Sequence, residues 1–148
     1  MKTKAEETIR YIKTLNPNAP FCVVHLRRGD RLNQPFFSES SEVNFVVNTL
    51  QNHVEAGSSI YIMTNGTPEY VSELKSLLNV NFCTFTKEDF HELNELGTTD
   101  NFKLFAIESE MFFELSDRRF TNRNPTHNIK RNAYSLQQFW KESYVNSK

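Results

Sequence analysis

His25, Arg27 and Arg28 are the first side chains in this sequence whose types and spacing suit a chemical task. They belong to the stretch FCVVHLRRGD, residues 21–30, in which four apolar residues run almost directly into a histidine, two arginines, a glycine and an aspartate. Arginine is the natural partner of a phosphate, because its planar fork donates two hydrogen bonds and it stays charged. If an extended strand carries on through residue 27, alternation sets His25 and Arg27 on one side and Arg28 on the other. Gly29 lets the backbone turn at little steric cost, with Asp30 just beyond it. A surface turn with its arginines in water fits the same residues, so the rest of the chain has to decide.

Two further stretches carry comparable chemistry. Thr64-Asn65-Gly66-Thr67-Pro68 offers an amide side chain beside a helix start, and helix N-termini favour anions. FTNRNPTHNIKR, residues 120–131, sets Thr126, His127 and Asn128 at another helix start, close to Arg123, Lys130 and Arg131. Backbone N–H groups, a hydroxyl and positive charge meeting there make a cradle for a diphosphate. Ordinary helix capping accounts for both stretches as well. Other chemistries have less to stand on. The four histidines form no H-x-x-x-H pair and no two cysteines have metal-ligand spacing, so no metal is expected. There is no G-x-x-x-x-G-K-[ST], no G-x-G-x-x-G and no G-x-S-x-G, in a chain with four glycines.

Positioning these residues calls for strands that deliver them and helices that space the strands. The spacing predicts a helix over 2–14, a strand over 21–26 and a polar loop over 27–41. A second helix follows to about Ala56, carrying Val43, Val46, Val47 and Leu50 and ended by Gly57. SSIYIMT, residues 58–64, reads as a strand. Thr67 as N-cap and Pro68 at the first helical position open a helix to Leu78. A third strand is expected over 80–86, then a mixed acidic stretch with one helical turn near Asp89. Asp100 caps a long helix to about Leu115, expected to turn Phe102, Phe105, Ala106, Met111 and Phe112 largely to one side. A short fourth strand over 119–122 and a last helix over 126–144 complete the order.

Strands alternating with helices of this length call for a mainly parallel sheet covered on both faces, a Rossmann-like three-layer α/β domain. The expectation is a single domain over 1–148, with a helix and linker over 1–20 and a motif-bearing core over 21–134. In such sheets ligands bind beyond the carboxyl ends of the strands, here after Leu26, Thr64 and Thr121. Net charge is −1, which lends nothing to a nucleic-acid role, but it is unevenly spread. Residues 116–148 hold seven Lys/Arg against two acidic residues, leaving −6 on the remainder. No window is apolar enough to span a membrane and the amino-terminal stretch has no signal-peptide core, so the expected compartment is the cytoplasm. Cys22 and Cys83 lie in apolar runs and are expected to be buried free thiols, and thirteen Phe suggest a Phe-rich core.

Taken together, the three strand ends are similar to a known family. VVHLRRGD resembles the H-x-R-R-x-D signature of the GDP-fucose-dependent fucosyltransferases, the superfamily of the α1,2-, α1,6- and protein O-fucosyltransferases. IYIMTNGTPEYVSELKSLL resembles that family's second motif, and DNFKLFAIESEMFFELSDRRFTNRNPTHNIKR its third, in family order. The resemblance implies one lobe, the nucleotide lobe, of a two-lobed GT-B-type glycosyltransferase. It implies GDP-fucose as donor, no metal or other cofactor, and an unidentified glycan or protein acceptor walled by a second lobe or a homo-oligomeric partner. Arg27 then matches the catalytic arginine that holds the β-phosphate, and His25 the histidine beside the nucleotide. Arg28, Gly29 and Asp30 complete the first motif. Thr126, His127 and Asn128 stand at the phosphate-holding turn, and Asn65 where the family has an aspartate. The alternative is a non-catalytic nucleotide-binding or interaction module on the same fold. An unrelated flavodoxin-like domain is less compatible, because two arginines stand where an acidic cluster belongs.

Overall fold

A computed structural model describes residues 2–29, 33 and 35–122 of the chain. Asp30, Thr126, His127, Asn128 and the helix expected over 126–144 lie outside the described residues. Helix α1 (Lys4–Leu15) starts where Thr3 accepts the Glu6 N–H. It leads into β1 (Phe21–Leu26), and the chain continues through α2 (Pro35–Ser40), α3 (Val43–His53), β2 (Ser59–Thr64) and α4 (Pro68–Leu78). After β3 (Cys83–Phe85) come a 3-10 turn (Lys87–Asp89), α5 (His91–Thr99), α6 (Asn101–Glu110), a π-helical turn (Met111–Leu115) and β4 (Arg118–Thr121).

The four strands form one all-parallel sheet in the order β3-β2-β1-β4. Alternation along β1 divides the interior into two layers. Cys22, Val24 and Leu26 pack with Val46 and Leu50 of α3 and Leu74 and Leu78 of α4. Phe21 and Val23 face the opposite way, toward Ile9 and Ile12 of α1, Leu93 of α5 and Leu104 of α6. The expected three-layer α/β architecture is therefore present, with β1 buried on both faces as a central parallel strand must be. The thiols of Cys22, buried, and Cys83, half-buried, are both free, and burial pushes the Cys22 thiol well up.

Several boundaries differ from expectation, each for a physical reason. Residues 35–40 form a helix rather than loop, with Pro35 at the first helical position, where its missing N–H costs nothing. Helix α3 stops at His53, because Val54 is already extended. Gly57, at φ 87°, serves the turn into β2 instead, donating its N–H to the Asn81 carbonyl at 2.7 Å. β3 is only three residues long, and Asn79 accepts the Thr84 N–H just beside it. The expected single turn near Asp89 is present as the 3-10 turn, and helix α5 is an addition to it. That helix follows a capping box made by Thr86 and Asp89, and its apolar anchor is the fully buried Leu93.

The long helix is capped by Asp100 as predicted, but it buries a different face. Leu104, Ile107 and Met111 point inward with Phe112, while Phe102 and Phe105 are exposed, as is Ala106. Among the described residues Phe21, Phe82, Phe85, Phe112 and Phe120 are inside, Phe45 and Phe90 pack partly buried against the core, and Phe102, Phe105 and Phe113 are outside.

Candidate functional site

Sequential strands β1, β2 and β3 step one way across the sheet, and the chain then crosses back to lay β4 on the other side of β1. The carboxyl ends of β1 and β4 thus meet at the point where strand order reverses, the usual place for a ligand crevice in open α/β sheets. The pairing brings His25 level with Thr121, and His25 Nδ1 and Thr121 Oγ1 share a hydrogen bond of 2.9 Å. Phe112, on the π-helical turn, meets the His25 ring edge-on at 6.4 Å between centroids. That turn therefore fixes one side of the imidazole while β4 fixes the other.

Arg27 follows directly. Its N–H donates to Asn122 Oδ1 at 2.6 Å, and its carbonyl accepts from Asn122 Nδ2 at 2.8 Å. Asn122 is fully buried, gives a further hydrogen bond to the Ser40 hydroxyl, and donates its own N–H to the His25 carbonyl. A buried amide satisfied at both ends is a rigid bracket, since losing either partner leaves a desolvated polar group. Asn122 thus sets where the peptide of Arg27 leaves the sheet. Sequence reasoning placed a strand end there but gave Asn122 no role. The usable signal was an Asn directly after a short strand at a sheet end, where a buried amide has to bond backbone.

Arg28 turns to the opposite face, as alternation predicts. Its guanidinium lies 4.0 Å from the centre of the Tyr70 ring and donates from Nη1 to the Ser41 hydroxyl at 2.9 Å and carbonyl at 3.2 Å. The Tyr70 hydroxyl donates to the same Ser41 carbonyl. Burial raises the Tyr70 hydroxyl to about 12, partly offset by the adjacent Arg28 charge, so it stays a neutral donor. Arg28 consequently ties β1 to α4 and the start of α3.

Asn65 reaches the β1 loop as well, accepting the Arg28 N–H on Oδ1 at 2.7 Å. Gly29 sits so close that a Cβ there would lie 2.8 Å from Asn65 Nδ2 and 2.9 Å from the Asn65 carbonyl oxygen. A Cβ on Gly66 would lie 2.7 Å from the Tyr70 ring. Thr64 adds a hydroxyl bond of 2.6 Å to the Leu26 carbonyl. The first two motifs are therefore one packed unit. Thr67 caps α4 as predicted, accepting the Tyr70 N–H.

His25, Arg27, Arg28, Gly29 and Asn65 all gather at the carboxyl ends of β1 and β2, with Thr121 and Asn122 beside them. Among the described residues no group of three His, Cys, Asp or Glu side chains is arranged to hold a metal ion, and no helix is long and apolar enough to cross a membrane. No family model, no curated protein and no solved structure matches the chain. The resemblance to fucosyltransferases therefore rests on the sequence motifs themselves.

Proposed function

We propose that this chain is the nucleotide lobe of a fucosyltransferase-type glycosyltransferase, binding the diphosphate of GDP-fucose at the carboxyl ends of β1 and β4. The observation that carries the reading is Arg27. It stands at the reversal point of a parallel sheet, with both polar groups of its peptide bracketed by a buried asparagine. Anchoring the Arg27 peptide at that point puts its guanidinium within side-chain reach of the strand ends, where a donor aimed at charge developing on a departing diphosphate would contribute to rate. In this account Arg27 is the catalytic residue, steadying the leaving group. His25, fixed by Thr121 and Phe112, borders the nucleotide. The acceptor, a glycan or protein, and any base for its hydroxyl come from a second lobe or a partner chain.

A non-catalytic module on the same fold is the second reading. It is favoured by the engagement of two motif side chains inside the fold, Arg28 on Ser41 and Tyr70 and Asn65 on the Arg28 amide. Calorimetric titration of the full chain with GDP, GDP-fucose and UDP separates the two. Binding of the guanine nucleotides without UDP, abolished by Arg27→Ala and not by Arg28→Ala, is the expected result. A folded Arg27→Ala variant that binds GDP like the wild type removes the site, and a folded wild type that binds no nucleotide removes the reading.

A further inference from the structure

Helix α6 and its π-helical continuation carry aromatic side chains on two sides, and only one side is used. Leu104, Ile107, Met111 and Phe112 face the sheet, whereas Phe102 is 83% exposed, Phe105 52% and Phe113 64%. At 100° per residue Phe102, Phe105, Ala106 and Ser109 share one outward stripe of α6, and the exposed Phe113 extends it onto the π-helical turn, about 16 Å from end to end. The three rings together leave roughly two rings' worth of surface in water, about 400 Å². A monomer can carry one patch of that size, so area alone does not name its occupant.

The charges beside the stripe do. On one flank of α6, close in helical angle, lie Lys103 at the amino-terminal end and Glu110 at the carboxyl-terminal end, and the exposed Glu114 follows on the π-helical turn. We infer that this face of α6 docks on the same face of a second copy of the chain, the two helices antiparallel about a twofold axis. A twofold contact puts each patch on itself. With the axis crossing near the middle of the stripe, the same flanks come together in opposite directions. Lys103 then falls between Glu110 of the partner subunit and Glu114 of the partner subunit, and the reciprocal pairs form at the other end. Phe102 of each copy packs near Phe113 of the partner subunit. A parallel twofold arrangement would instead set this flank beside the partner's opposite one, where Lys103 meets no exposed carboxylate.

The stripe is also preordered. Arg119 lies 5.8 Å from the ring centres of both Phe112 and Phe113 and donates from Nη1 to the Phe113 carbonyl at 3.2 Å. Phe112 and Phe113 meet edge to face at 4.8 Å. Because Phe112 is the residue that braces His25, the contact abuts the candidate site without using any residue assigned to it. The inference stands or falls independently of nucleotide binding. Both copies together would bury about 800 Å², at the low end for specific association, so the dimer is weak and concentration-dependent.

Sedimentation equilibrium of the full chain over a range of concentrations tests this directly. The expected mass rises from the 17.3 kDa of one chain toward twice that value. Phe102→Ser with Phe113→Ser holds the chain at the monomer mass with unchanged circular dichroism, since both side chains are exposed in the monomer. Lys103→Glu weakens association, and adding Glu114→Lys restores it. Wild-type chain that stays monomeric at the highest concentration overturns the inference, as it would if another part of the same chain covered the stripe. A dimer that survives the double serine change overturns it too.

Discussion

Arg27 and Arg28 are neighbours in the chain and part ways at the end of β1. Arg28 goes into the fold, over the Tyr70 ring and onto Ser41. The peptide of Arg27 is held at the strand end by Asn122. Alternation made the divergence of the two arginines legible in the sequence. Asn122 was not legible as a bracket, because its role depends on β4 lying beside β1, which no local pattern states. The same holds for Glu108. Its carboxyl is buried in the α1–α6 layer and accepts the Tyr61 hydroxyl at 2.7 Å. Burial pushes its pKa up from 4.5 to about 7, against the smaller lowering influences of the Tyr61 hydrogen bond and Lys87. A carboxyl whose folded pKa is raised contributes most below its unfolded pKa, and that contribution is lost as pH climbs from 4.5 to about 7. The full loss is about 3 kcal/mol. Denaturant unfolding should therefore give stability that falls between mildly acidic and neutral pH and then levels off. Glu108→Gln, which keeps an acceptor for Tyr61, should flatten that fall. An unchanged pH slope in the glutamine variant would assign it to another group.

At the scale of elements, the loops after β1 and β2 act as one. Gly29 accepts the approach of Asn65, and Asn65 accepts the Arg28 N–H. Gly29→Ala puts a methyl group within 2.9 Å of a backbone oxygen, so one loop must shift. The expected cost is about 1–3 kcal/mol, of the order seen for overpacking. GDP binding, where present, should weaken in parallel as the shift displaces Arg27. Unfolding of the variant by urea measures the first effect, and wild-type stability in it would contradict the packing described. Among the elements, α4 was fully legible, since Thr67, Pro68 and the apolar spacing to Leu78 all point the same way. The face of α6 was not. Its polar residues are scattered among the apolar ones without marking one face, and the choice of Leu104 and Ile107 over Phe102 and Phe105 is made by the sheet it packs on. Helix α5 was missed because it carries few apolar anchors, and the buried Leu93 holds it from the tertiary side.

At the scale of the molecule, the alternation of strands and helices was enough to expect a parallel three-layer fold. Strand order added what the sequence lacked, by setting β4 next to β1 and so bringing the first motif beside the β4 part of the third. That junction carries the central claim of the proposal, that a nucleoside diphosphate would bind where strand order reverses. Amide chemical-shift mapping of the full chain during titration with GDP tests it most directly. The account predicts perturbations clustered at His25–Gly29, Asn65–Gly66 and Thr121–Asn122, the residues at the carboxyl ends of β1, β2 and β4. A spectrum that GDP leaves unchanged, or one perturbed only elsewhere, such as along α6, would contradict it.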